Sequence, residues 1–160
     1  MVDRKPVTNK REFNWPVRVY YEDTDVAGVV YYANYLKFYE RGRTEWLRSL
    51  GWEQDVLIDK GLAFAVAHVD AKYIRPARFN DQLVVKTRIS SVRKASVIFE
   101  QEIHLVDETQ KSEGSDGESD DNKQQIVNKA TIRVACVDMD TMTPAPMPNY
   151  LQEEIAREWC

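Results

Sequence analysis

The chain has 160 residues, 43% of them hydrophobic, and a formal charge of −4. That suits one domain with one core. No apolar run approaches the roughly 20 residues that cross a membrane, and the polar opening MVDRKPVTNKREFNW lacks the apolar centre of a secretory signal. Two cysteines, Cys136 and Cys160, make no disulfide framework, so a reducing, cytoplasmic setting is expected.

The charge is local. Residues 107–123 carry seven acids against two lysines, −5 in all, which leaves the rest of the chain at +1. The basic residues outside this segment are scattered and not interleaved with surface aromatics, so no nucleic-acid partner is expected.

Residues 1–15 read as a flexible arm, and 16–160 as a single domain. Val17 to Glu22 is rich in strand formers and is expected to be the first strand. Asp23 to Gly28 is a turn. Ala33 to Leu50 is a helix with Tyr35, Phe38, Tyr39, Gly42, Trp46, Leu47 and Leu50 on one side. Gly42 on that apolar side implies close approach of the helix backbone to a sheet, and Gly51 is placed to end the helix. Trp52 to Lys60 reads as a short helix or loop. The period then changes to two, and Ala63–Tyr73, Gln82–Val92, Ala95–Val106 and Gln125–Asp138 read as long strands. Residues 109–122 are expected to be a disordered acidic loop. Leu151 to Trp159 reads as a short terminal helix. Consecutive strands without intervening helices predict antiparallel pairing and an α+β class, with one long helix covering one sheet face.

The stretch that can carry chemistry is Asp23-Thr24-Asp25-Val26-Ala27-Gly28. A calcium loop of the EF-hand type fails, because Ala27 and Asn34 occupy its fifth and twelfth places. An aspartyl phosphatase fails because the chain behind the turn is all strand. Two readings stay open. Asp23 and Asp25 are turn and capping residues, the commonest use of aspartate in such places. Alternatively, one of them is a nucleophilic or water-activating carboxylate beside the electropositive start of a helix, with Gly28 letting the backbone approach a ligand. His68 and His104 lie in separate strands without metal-ligand spacing and read as structural; no metal or cofactor is implied. Arg75 and Arg78, flanking Pro76, read as structural pairs before a weaker role in binding phosphate, and Glu40, Arg43 and Glu45 as helix-surface or subunit ion pairs.

The pattern Y-x-D-x-D-x-x-G-V-V-Y-x-A-N-Y-x-x-F-x-E-x-x-R-T-E-x-L, from Tyr21 to Leu47, resembles the hotdog-fold acyl-CoA thioesterases, most closely their Tol-Pal-associated branch, and is similar to 4-hydroxybenzoyl-CoA thioesterases. The likeness continues through YIRPAR (Tyr73 to Arg78), Asp81 and Ala135 to Asp138. It implies a hotdog fold, an antiparallel sheet wrapped round one long helix, and a homodimer or homotetramer with sites at subunit boundaries. It implies hydrolysis of acyl-CoA, or of an acyl group on an acyl carrier protein, without a cofactor. The catalytic carboxylate falls on Asp25, and the amide that polarises the thioester carbonyl falls at Tyr32, where relatives commonly carry histidine. Asp23 and Gly28 support the turn. Arg93, Lys94 and Ser96 fall where relatives contact the CoA phosphates; a solvated hairpin tip is the competing reading. A dehydratase would want a histidine that this turn lacks. A non-catalytic acyl-binding or envelope-associated module on the same fold remains the rival from another class.

Overall fold

The computed structural model describes residues 11–106 and 125–160. The acidic segment at 109–122 and most of the arm lie outside them. Five strands form one antiparallel sheet: β1 (Phe13–Arg18), β2 (Leu62–Tyr73), β3 (Gln82–Val92), β4 (Ser96–Leu105) and β5 (Ile126–Asp138), in the order β1-β3-β4-β5-β2. The helices are α1 (Asn34–Ser49), α2 (Gln54–Asp59) and α3 (Asn149–Glu158).

The first strand differs from expectation. It runs from Phe13 to Arg18, taking in residues 13–15 of the supposed arm, and Tyr21–Asp23 form a single 3₁₀ turn instead of continuing as strand. Asp23 makes that turn. Its amide donates to Tyr20 O at 3.0 Å, and its carboxylate accepts the Tyr20 N–H at 2.8 Å, so local side-chain bonding replaces the ladder. Asn14 and Pro16 disguise the true strand. Pro16 is tolerated because β1, among the described residues, pairs only with β3, which leaves it on the sheet edge.

The inner sheet face is read directly from the two-residue period. Leu83, Val85, Thr87 and Ile89 of β3 and Val97, Phe99, Gln101 and Ile103 of β4 all point inward and are buried. α1 lies on this face with Tyr35, Phe38, Tyr39, Gly42, Trp46 and Leu47 buried, as its periodicity predicts. Phe38 and Tyr39 are fully buried, and burying a side chain such as Phe contributes about 1.5–3 kcal/mol. The close approach expected at Gly42 is real. A Cβ there would sit 2.8 Å from Val85 Cγ1, 3.2 Å from Gln101 Nε2 and 3.3 Å from Thr87 Oγ1. Gly51, at φ +84°, terminates the helix in the left-handed conformation. α3 packs back against β3 with Leu151 and Ile155 buried, and the buried Trp159 just past it packs edge-on against Trp46 at 5.7 Å.

β2 closes the other side of the sheet. It is 12 residues long, pairs only with β5 among the described residues, and leaves Val66 half exposed and Val69 more than a third exposed. No helix among the described residues is long and apolar enough to cross a membrane.

Candidate active site

The turn after the 3₁₀ segment folds back on itself as a small hairpin. Thr24 bridges Val30, the Asp25 amide donates to Val29 O at 2.9 Å, and the Gly28 amide donates to Asp25 O at 3.0 Å. Gly28 sits at φ +78°, a conformation that favours glycine. The returning arm is tied to the segment before β3: Val29 bridges Arg78, and the Val30 amide donates to Ala77 O at 2.8 Å. The next residues pass straight into α1.

The two aspartates divide their work. Asp23 is buried and spends its carboxylate on structure. One oxygen accepts Tyr20 N–H, the other accepts Asn34 Nδ2 at 2.9 Å, and its carbonyl accepts Tyr31 N–H at 2.9 Å. Asp23 therefore staples the turn to the first residue of α1. Asp25 is exposed. Its Oδ1 accepts Ala27 N–H at 2.9 Å, which fixes the side chain, and Oδ2 has no partner among the described residues. A carboxylate in that state keeps a free lone pair for attack or for taking a proton.

The start of α1 supplies the complementary charge. Tyr31 is held at both backbone groups, since its amide reaches Asp23 O and its carbonyl accepts Asn34 N–H at 2.8 Å. The Tyr32 and Ala33 amides, by contrast, have no acceptor among the described residues. Unpaired amides at a helix start, backed by the helix dipole, suit a developing oxyanion. The rim is aromatic. Tyr31 and Tyr32 lie 4.8 Å apart by ring centroid, and Tyr21 meets Phe79 edge-on at 6.2 Å. Tyr32 itself is 63% exposed.

Alongside α1, on its β2 side, two adjoining hollows of about 330 and 170 Å³ run down the helix from Leu36 past Glu40 and Arg43 to Leu47. Their floor is Val66, Phe99, Ile132 and Val134. Of the helix-surface or subunit ion pair expected of Arg43, the surface pair is not formed: within one chain, Arg43 has no carboxylate partner among the described residues. Its guanidinium is largely buried, donates to Gln101 Oε1 at 3.0 Å, and has its pKa pulled down to about 10 by burial. Glu40 accepts from Thr44 at 2.8 Å, and Glu45 pairs with Arg48. Arg75 and Arg78, expected to pair, have no carboxylate partner among the described residues; the Arg78 backbone amide donates to Asp81 at 2.8 Å instead. His104 contacts Glu102 at 3.0 Å, and burial raises the Cys136 thiol pKa, which leaves it an inert core group.

Residues 19–155 match the thioesterase-like superfamily. The chain is 40% identical over 146 residues to the acyl-CoA thioester hydrolase YbgC of Escherichia coli O6:H1, covering 91% of this chain and 97% of that one. The chain belongs to the thioesterase-like superfamily. It is also 41% identical over 141 residues to the acyl-CoA thioesterase YbgC of Haemophilus influenzae, covering 88% and 91% of the two chains. Among solved structures it resembles a probable thioesterase from Bartonella henselae, with TM-score 0.70 and 31% identity over 86% of this chain and all of that one. The fold is thus the hotdog fold that the motif implied.

Within this thioesterase-like chain, Asp23, Asp25, Gly28 and Tyr32 come together in one turn-and-helix unit. Arg93, Lys94 and Ser96 do not join them. They form the β3–β4 connection, where Arg93 N–H donates to Ser96 O at 2.8 Å and Lys94 O accepts Met147 N–H at 2.8 Å. The Asp25 turn stands at the Gln82 end of β3, because Arg18 of β1 faces Gln82. The basic tip stands at the other end, 11 residues along the strand, a span of about 35 Å. Two residues close to the helix start escape a reading of the motif alone: Asn34, which holds Asp23, and Tyr73, whose hydroxyl donates to Tyr32 O at 2.8 Å. The only available signal for Tyr73 is its place at the head of YIRPAR, where a strand ends before a proline.

Proposed function

We propose that this chain hydrolyses acyl-CoA thioesters to the free acid and CoA, at a site made by Asp25 and the amides that open α1. The observation that carries the reading is the division within one hairpin: one arm presents a carboxylate with an uncommitted oxygen, and the other feeds the unpaired Tyr32 amide into a helix start. A thioester asks for little more, since the CoA thiolate is a good leaving group.

Two routes fit these groups. In the first, Asp25 attacks the carbonyl carbon, the C–S bond breaks, the thiolate leaves and takes a proton from water, and a water molecule then hydrolyses the mixed anhydride. In the second, Asp25 takes a proton from a water that attacks directly. In both, the oxyanion forms against the Tyr32 amide. Label in the Asp25 carboxylate after a single turnover in ¹⁸O-water would establish the first route with water attacking the aspartyl carbonyl of the anhydride, and trapping of a covalent acyl-Asp25 adduct would establish it where water attacks the acyl carbon.

The working unit is a dimer or a tetramer joined through the open edge of β2. An unpaired edge of that length is a template for a second copy. Antiparallel pairing of two β2 strands swaps the ends of the sheets, so the partner subunit's basic hairpin tip comes to the end where the Asp25 turn lies. Arg93 and Lys94 would then meet the CoA phosphates of the neighbouring site, which accounts for their distance from Asp25 within one chain. The same arrangement covers the exposed side of the turn. A cytoplasmic location, where acyl-CoA is found, belongs to the same proposal.

The test is thiol release from a panel of acyl-CoAs, short to long and including aryl groups, and from acyl carrier protein substrates. Release from at least one substrate, abolished in Asp25→Asn, is the expected result. No release from any substrate would favour a non-catalytic acyl-binding module.

A further inference from the structure

We infer that Tyr73 is a positioning residue for the oxyanion site, acting through the Tyr32–Ala33 peptide. The inference rests on the thioesterase reading above. Tyr73 is the last residue of β2, and its hydroxyl donates to the carbonyl oxygen of Tyr32 at 2.8 Å. That oxygen and the Ala33 N–H belong to one amide. A donor on the oxygen draws electron density through the peptide and makes its N–H a stronger donor in turn.

Geometry adds to electronics. The peptide before Tyr32 is fixed by the Asn34 amide on Tyr31 O, and the peptide after it by Tyr73. Both planes flanking residue 32 are therefore held while its own N–H is left unpaired among the described residues. A free N–H between two clamped peptide planes is a pre-set donor, which costs no reorganisation as charge develops. The Tyr73 ring is positioned in turn: it stacks edge-on against Tyr35 at 5.6 Å, and the Tyr35 hydroxyl accepts the Ala77 N–H at 3.1 Å. Tyr73 is nevertheless 52% exposed, too open for its hydroxyl to be needed as core packing.

The role predicts a loss confined to turnover. Tyr73→Phe keeps the ring and its contact with Tyr35 and removes only the hydroxyl. One hydrogen bond that matters in the transition state changes the rate by about three- to tenfold. The experiment compares the full-length parent, Tyr73→Phe, Tyr35→Phe and Asp25→Asn, with kcat and KM measured on the best acyl-CoA at a temperature where circular dichroism shows each folded. The expected result is a lower kcat in Tyr73→Phe with KM and melting temperature near parental values, and a lower melting temperature with retained kcat in Tyr35→Phe. Backbone amide shifts of Tyr32 and Ala33 should move in Tyr73→Phe while the rest of α1 stays put. Parental kcat in Tyr73→Phe, or a change in KM alone, alongside an inactive Asp25→Asn, would overturn the role of Tyr73 and leave the site standing. An active Asp25→Asn would overturn the site reading and this inference with it.

Discussion

The middle and the start of α1 treat polar groups in opposite ways. In the middle, beside Gly42, the buried Gln101 side chain is fully paired. Gln101 donates to Tyr39 O at 3.1 Å and to Thr87 Oγ1 at 2.9 Å, and its oxygen takes the Arg43 guanidinium. At the start, Asp25 keeps an open oxygen and Tyr32 an open amide among the described residues, and the aromatic rim is exposed. Saturated contacts hold the helix to the sheet; under the proposed function the unsaturated ones, kept in place by neighbours such as Asp23 and Asn34, would meet the ligand, which would separate stability from chemistry along one helix.

That separation can be broken by substitution. The largest effect belongs to Asp25→Asn, which should cut thiol release by about 10²- to 10⁴-fold, with the unfolding midpoint in urea unchanged. Gly42→Ala should do the reverse. The added methyl meets the stiff Val85 side chain, so the variant should lose about 1–3 kcal/mol in urea unfolding despite alanine's better helix propensity, and any folded fraction should retain the parental kcat. Asp23→Ala sits between the two. It strands a buried amide pair and should lose about 1–3 kcal/mol together with part of kcat, since the turn loses its staple. Arg93→Ala with Lys94→Ala should raise KM for acyl-CoA and leave kcat and the melting temperature alone; an unchanged KM would remove these residues from the site. The smallest effect is on the acid side. Burial would raise the Glu102 pKa, but the hydrogen bond with His104 and the nearby Lys129 outweigh it, so the pKa is lowered on folding. Its stabilisation is present above the unfolded carboxylate pKa and is lost as pH falls through the lower folded value. Glu102→Gln should flatten the acid limb of a stability–pH curve, with slightly lower stability than the parent at neutral pH and near-parental stability below the folded pKa.

Much of this fold was legible because its elements carry strong periods. The two-residue alternation located β2 to β5 nearly to their ends, and the helical spacing named the buried face of α1 apart from Asn34, which it missed, and Leu50, which is only partly buried. Gly42 announced the close contact with β3. The first strand was hidden because Asn14 and Pro16 lower its apparent strand character, while the Val17–Tyr21 run imitates a strand that Asp23 cuts short. The candidate site came from the family resemblance, which points to Asp25 and Tyr32, but the opposed environments of Asp23 and Asp25 were not legible: a spacing of two says nothing about which carboxylate is buried. Likewise Arg43 reads as a surface charge on a helical wheel, and only its neighbour Gln101, 58 residues on, draws it inward. Long-range partners of this kind, with Tyr73 and Tyr32 as another pair, leave no local mark in the chain.

The central claim is spatial, and a structure with a non-hydrolysable acyl-CoA analogue tests it most directly. The analogue's carbonyl oxygen should lie within hydrogen-bonding distance of the Tyr32 amide, with the Asp25 carboxylate facing the carbonyl carbon and the nucleotide phosphates near Arg93 and Lys94 of a neighbouring subunit. An acyl carbonyl held anywhere else, with Asp25 still turned to solvent in the assembled protein, would contradict it.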